Sequence, residues 1–244
     1  MTHTKYLRFI ISTDGIEVDL EKTSVIGQWE QPQTVKGVQS ILGFCNFYRR
    51  FIKNYKQIAK PLNRLTRKDQ PFRFDGAYIH AFKELKRRLV SAPVLCHFKQ
   101  GLPTAAETDA LDGVIAGVLY RKQADGEWHP VAYYSKTMID AELNYPINDK
   151  EMLAIVSSFR HWHVYLEGTP EAIYVVLDHK ALEYFMTTRA LTARQARWAE
   201  ILSEYNFLIR YKPRSMNRAD ALTRREQDLE TSLPQRLPYA ARPC

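Results

Sequence analysis

Two repeat lengths alternate in the placing of apolar residues along this chain. Tyr6 to Ser12 is a short β-like run, closed by a Thr13-Asp14-Gly15 turn signal. Beyond Pro32 the spacing changes to threes and fours. Val35, Val38, Ile41, Leu42, Cys45, Tyr48, Phe51, Ile52 and Tyr55 form one stripe, with Thr34 placed to cap it. This predicts one long amphipathic helix, which Pro61 ends or restarts. Phe82, Leu85 and Leu89 predict a second helix over 81–90, stopped by Ser91-Ala92-Pro93, and 92–104 reads as a linker. Three strands follow, near 104–110, 114–121 and 128–135, separated by Asp112-Gly113 and Asp125-Gly126 turns. Then come a helix over 149–166, a strand over 172–177, helical segments near 180–188 and 194–204, a strand over 206–211 and a short helix around Asp220. A three-strand meander followed by alternating helix and strand predicts an α/β fold, a mixed sheet with helices packed on it. The segment after Arg225 holds three prolines and no periodicity, and is predicted to be disordered.

Composition narrows the classes. At 244 residues, 45% hydrophobic and 25% charged, the chain suits one large or two small globular domains. No apolar run approaches the ~20 residues that span a bilayer, and the first residues carry no signal-peptide core. Cys45, Cys96 and Cys244 are isolated, without metal-site spacing or a disulfide framework. A reducing compartment, cytoplasm or nucleus, is the expectation. Charge is uneven: residues 1–100 hold 18 Lys/Arg against 8 Asp/Glu, and the remainder 17 against 19. Arg49, Lys53, Lys56, Lys60 and Arg64 recur at helical spacing, with no acid between Arg49 and Lys68. Such a stripe either solvates a helix or grips a phosphate backbone; the absence of any interspersed acid favours the backbone.

Four carboxylates stand in unrelated local contexts. Asp109 closes an alternating run, Glu151 opens an amphipathic helix, Asp178 follows Tyr174-Val175-Val176-Leu177, and Asp220 lies in Asn217-Arg218-Ala219-Asp220-Ala221-Leu222. Acids at the ends of apolar elements are costly to bury unless paired or bound to metal. Four of them suggest a divalent cation and phosphate chemistry. Each also has a local reading. Glu151 fits a capping box begun by Asn148, Asp178 fits a helix N-cap, and Asp220 fits the first turn of a helix. Ile155, Ser158 and Trp162 share a helix face with Glu151, so that face is expected to meet the sheet and direct Glu151 at the strand of Asp109. Asp178 falls beyond the carboxyl end of a strand, where α/β sheets bind ligands.

Taken together, the segments over about 5–225 resemble the pol polyprotein of gypsy-type long-terminal-repeat retrotransposons and vertebrate retroviruses. Lys5 to Ser12 is similar to the primer-grip strands closing a reverse transcriptase palm, Gly37 to Ile52 to the thumb, and Phe72 to Leu95 to the tether between thumb and nuclease. Glu107-Thr108-Asp109-Ala110, Tyr145 to Glu151, Leu177-Asp178-His179-Lys180, Gln195-Ala196-Arg197-Trp198 and Ala219-Asp220-Ala221-Leu222 match the family's ribonuclease H motifs in order. The resemblance implies a partition into palm end (1–20), helical thumb-like region (21–70), connection (71–103), an RNase H-like domain with a five-stranded mixed sheet (104–225) and a tail (226–244). It implies that Asp109, Glu151, Asp178 and Asp220 bind two Mg²⁺ ions (Mn²⁺ being the other candidate), about 3.5–4 Å apart, and cut the RNA strand of RNA–DNA hybrids to a 3′-hydroxyl and a 5′-phosphate. Partners would be the hybrid, through its phosphate backbone, and the remainder of a pol polyprotein; no membrane is expected.

The chain departs from that pattern in several places. No histidine follows His179, where many relatives carry one before the last acid; Arg8 stands where the primer grip usually has glycine; Leu111 and Leu177 replace small polar residues. No Tyr-x-Asp-Asp occurs, so this chain alone is not expected to polymerise DNA, although the family does. A catalytically inactive nucleic-acid-binding remnant is the alternative. An integrase-type nuclease, with acids in the order Asp, Asp, Glu, is disfavoured because the glutamate here comes second.

Overall fold

The first β-like run folds back on itself. In the computed structural model, which describes residues 3–68, 70–177 and 191–211, β1 (Thr4–Tyr6) and β2 (Phe9–Ile11) form an antiparallel hairpin, joined by β3 (Ile16–Val18). The β1–β2 turn is Leu7-Arg8, with φ of 45° and 71°. Turns of this hand suit strand twist but favour Gly or Asn, so two ordinary side chains are held there at a cost of roughly 1–2 kcal/mol each.

The hydropathy pattern missed α1 (Leu20–Gln28), because its only buried residue is Ile26; Asp19 caps it by accepting from Glu21 N. The predicted long helix is two helices. α2 (Val35–Phe47) starts at the Thr34 cap, whose Oγ1 accepts from Gly37 N at 3.1 Å. A 3₁₀ turn at Arg49–Phe51 and Asn54 in the left-handed region (φ 59°) then restart the chain as α3 (Tyr55–Leu65), with Pro61 inside it. The reason is geometric. A straight helix over 34–60 would be about 40 Å long, with half of its stripe left wet. The bend instead closes both halves of the stripe into one core with Ala81, Phe82, Leu85 and Leu89 of α4 (Gly76–Val90). Replacing Thr34 by Ala removes the cap and should cost about 1 kcal/mol. A Tm lowered by about 2–4 °C in a thermal melt is the expected reading.

The second core is a five-stranded sheet. β4 (Thr104–Leu111), β5 (Val114–Lys122) and β6 (Trp128–Thr137) form the antiparallel meander. α5 (Asp140–Leu143), α6 (Ile147–His161) and α7 (His163–Leu166) lead to β7 (Ile173–Leu177), and α8 (Ala193–Leu202) leads to β8 (Phe207–Tyr211). The order is β6-β5-β4-β7-β8, with β4, β7 and β8 mutually parallel. This is the mixed five-stranded α/β sheet expected from the sequence. α6 begins after Pro146 rather than at Asn148, so Asn148 lies within the first turn and caps nothing. It ends at His161, with Trp162 as its C-cap, and α7 resumes over His163–Leu166 instead of one helix continuing to 166. The helical segments predicted near 180–188 and around Asp220, and the tail, lie outside the described residues. Among the described residues no helix is long and apolar enough to cross a membrane.

The two cores meet at a seam. Ile16 and Leu95 exchange two backbone hydrogen bonds of 2.8 Å, while the next residue, Cys96, donates its N–H to Pro130 O at 2.9 Å. Leu95 packs in the helical core and Cys96 in the sheet core. Gly15 is required beside them: a Cβ there would lie 2.2 Å from the Leu95 carbonyl oxygen.

Candidate active site

β4 presents two faces. Thr104, Ala106, Thr108 and Ala110 are buried, and Ala105, Glu107 and Asp109 between them are partly exposed. The cross-strand register pairs Thr108 with Gly117 and Asp109 with Ala116, and partners in an antiparallel pair share a face. α6 covers the Thr108 face at very close range. A Cβ on Gly117 would meet Ser158 Oγ at 2.7 Å and Trp162 Cη2 at 2.9 Å. Glu151, Ile155, Ser158 and Trp162 therefore form the helix face that meets the sheet, as the spacing predicted, and Glu151 is only 4% exposed. Asp109, however, projects from the other face of β4. The two acids share one end of the sheet rather than one face.

That end is fixed by the connections. β6 runs parallel to β4, so the chain leaves β6 at the carboxyl end of β4; there Met138 N donates to Gly113 O at 2.8 Å. Leu143 of α5 packs on the same turn, 2.7 Å from where a Gly113 Cβ would stand. α6 starts four residues later and runs back along the sheet, which leaves Glu151, in its second turn, beside the carboxyl end of β4. β7 ends at the same edge, with Val176 opposite Glu107 and Leu177 one residue further. Asp178, the next residue, and Asp220 lie outside the described residues. Asp109 and Glu151 are hard oxygen donors of the type Mg²⁺ and Mn²⁺ accept. Among the described residues no group of three or more His, Cys, Asp or Glu side chains could hold an ion, so these two acids form half of the expected set.

The basic stripe turns out to be divided. Lys53, in the turn before α3, places its Nζ 3.9 Å from Glu107 Oε2, which also accepts from Tyr120 OH at 3.4 Å. Lys60 Nζ donates to Asp112 O at 2.7 Å, and the backbone N–H of Lys56 donates to Ser135 Oγ at 3.1 Å. Thus Lys53 and Lys60 tether the helical region to the Glu107–Asp109 side of the sheet. Arg49 lies on the 3₁₀ turn, 3.3 Å from Asn46 Oδ1. Lys56 sits over the Tyr55 ring, and Arg64 is exposed in the last turn of α3. Arg49 and Arg50 also lie near His161, which stacks on Tyr134; burial and these two charges hold the imidazole pKa below its ordinary value.

One cluster had no signal in the sequence. Asp149 of α6 accepts hydrogen bonds from Arg194 and Gln195 of α8, residues 45 and 46 positions away. Arg194 just precedes the Gln195–Trp198 motif, but nothing local pairs it with Asp149.

Known proteins resemble this chain in sequence and in fold. Residues 99–205 match the family described as the RNase H-like domain found in reverse transcriptase. The chain is 39% identical over 226 residues to the transposon Tf2-3 polyprotein of Schizosaccharomyces pombe, a match covering 91% of this chain and 17% of the polyprotein. The Tf2-4 polyprotein of that organism matches equally. The chain therefore spans about a sixth of the length of these relatives. Among solved structures, the foamy viral protease–reverse transcriptase in complex with an RNA/DNA hybrid superposes with a TM-score of 0.68 at 21% identity, covering 98% of this chain and 32% of that one. Its complex with double-stranded DNA gives 0.68 at 22% identity, covering 88% and 45%. The fold is RNase H-like, and over 91% of its length the chain is similar to a segment of transposon polyproteins.

Proposed function

We propose that this chain is a metal-dependent endoribonuclease that cuts the RNA strand of RNA–DNA hybrids, as the thumb–connection–nuclease portion of a gypsy-type reverse transcriptase. What supports this reading is that Asp109 and Glu151 both stand at the end of the sheet where the parallel strands β4 and β7 finish, the end at which α/β sheets bind ligands. The chain enters Asp178 directly from β7, and Asp220 is the fourth acid in family order. Asp109, Glu151, Asp178 and Asp220 would hold Mg²⁺, or Mn²⁺, through their carboxylate oxygens. When bound, the ions would supply an ionised water nucleophile and stabilise the leaving 3′-oxygen. The buried Glu151 carboxylate, set on a helix and backed by a close-packed sheet, keeps its orientation without rearrangement. Water attacks phosphorus, the P–O3′ bond breaks, and the products are a 3′-hydroxyl and a 5′-phosphate. Contacts to the 2′-hydroxyl would select the RNA strand.

In this reading residues 21–70 act as the thumb-like region and 71–103 as the connection. Arg49, Lys53, Lys56, Lys60 and Arg64 face the phosphate backbone, with Lys53 and Lys60 doing so beside the Glu107–Asp109 side of the sheet. The nucleic acids held by the two foamy viral structures support a duplex ligand. A labelled hybrid incubated with and without Mg²⁺ tests the reading: RNA-strand cleavage that requires metal is expected, and binding without cleavage at any metal concentration would favour the inactive remnant. The basic residues give a separate readout. Changing Arg49, Lys56 and Arg64 to Gln should weaken hybrid binding and flatten the slope of log K against log salt by about 2–3.

A further inference from the structure

Asp149 and Glu151 are two residues apart on α6, which sets them about 200° apart around the helix axis. Glu151 faces the sheet, so Asp149 faces away, and there it meets α8. Asp149 is 5% exposed, and both its carboxylate oxygens are occupied: Oδ2 accepts from Arg194 Nη2 and Oδ1 from Gln195 Nε2 at 2.8 Å. The donors are themselves fixed. Gln195 Oε1 accepts from Thr192 N at 3.1 Å in the capping box of α8, leaving its amide N–H for Asp149. The Arg194 guanidinium carbon lies 3.8 Å from the centre of the Tyr145 ring and 5.6 Å from that of Trp198. Helix first turns lack internal partners for their N–H groups and fray readily. This one is gripped from behind through a buried carboxylate whose arginine partner keeps 35% of its side chain exposed. A charge-assisted hydrogen bond of this kind fixes geometry as well as adding energy.

We propose that Arg194 and Gln195 are positioning residues for Glu151: by holding Asp149 they fix the first turns of α6, and with them the carboxylate that faces the metal. This rests on the nuclease reading above. Groups hydrogen-bonded directly to a metal ligand typically govern affinity by about 10- to 100-fold, and a hold exerted through the helix should act at the lower end of that range.

The test uses the full chain, with Mn²⁺ binding measured by calorimetry without nucleic acid and Mg²⁺-dependent hybrid cleavage measured alongside. Arg194→Ala and the near-isosteric Asp149→Asn should raise the Mn²⁺ dissociation constant and the Mg²⁺ midpoint about 10-fold or more, with the KM for hybrid unchanged. Arg194→Lys, which keeps the charge but loses the planar fork, should recover part of the loss. Leu202→Ala, a cavity at the buried far end of α8, should lower Tm without moving either metal value. The proposal is overturned if Asp149→Asn and Arg194→Ala bind Mn²⁺ as the wild type does, or if Leu202→Ala weakens binding as much as they do. A wild-type chain that neither binds Mn²⁺ nor cuts hybrid would overturn the nuclease reading and this role with it. A wild type that does both, with Arg194→Ala indistinguishable from it, removes the positioning role alone.

Discussion

Asp109→Asn and Glu151→Gln should each reduce metal-dependent cleavage of an RNA–DNA hybrid by about 10³-fold or more, equivalent to ~4 kcal/mol of transition-state stabilisation. Both substitutions conserve volume and remove only the ionisable oxygen, so the packing around them should persist. Asp109 is partly exposed on β4, and its replacement should leave the melting temperature almost unchanged. Glu151 is buried between α6 and the sheet, and Gln keeps its shape and one acceptor oxygen there. Glu151→Gln should therefore stay folded, with a melting temperature within a few degrees of wild type, while losing activity. The pair of measurements separates chemistry from folding: equal residual activity in wild type and both variants would sink the catalytic assignment. Chelation with EDTA should reproduce the activity loss in the wild type, and added Mg²⁺ should reverse it.

Gly117→Val should be the most damaging single change in the nuclease core. The helix packs so near β5 that even one methyl at this position would sit 2.7 Å from Ser158 Oγ and 2.9 Å from Trp162 Cη2. Trp162 is 1% exposed and Ser158 fully buried, so neither can swing into solvent. Overpacking of this kind costs about 1–3 kcal/mol, and a β-branched side chain belongs at the upper end. For a chain of this size the Tm should fall by roughly 6–12 °C. Cleavage should fall as well, because the added bulk pushes α6 off the sheet and carries Glu151 with it. Gly117→Ala should show a smaller version of both effects. A Gly117→Val variant with wild-type Tm and activity would show that α6 does not depend on this contact.

The sheet was legible because its signals are local. Alternation across 104–111 and β-prone apolar runs over 114–122 and 128–137, punctuated by Asp-Gly pairs, mark strands from local sequence alone. The elements carrying Asp109 and Glu151 were legible for the same reason. Their relative placement was not. That Asp109 leaves the far face of β4 follows from the Thr108–Gly117 register, which no single strand contains. The helical region was legible in its content but not in its path. Tyr48, Phe51 and Ile52 all fall on the period of one continuous stripe, and the break comes from Asn54 in a left-handed conformation and from the core that α4 completes. α1 escaped because one buried isoleucine makes no pattern. The Asp149–Arg194 contact joins two helices 45 residues apart and is invisible to any window.

The seam at Ile16 and Leu95 gives the molecule a mechanical property. The backbone crosses between the two cores near residue 95, and the strand that opens the helical region is zipped to it there. Everything from residue 16 to residue 95 is thus a closed loop clasped at its base. A single-stranded linker would act as a swivel. Here, twisting the helical region against the sheet must break both Ile16–Leu95 bonds and also pull Lys56 from Ser135 and Lys60 from Asp112. Torque applied to one core is therefore delivered to the β4–β5 turn of the other, three residues beyond Asp109.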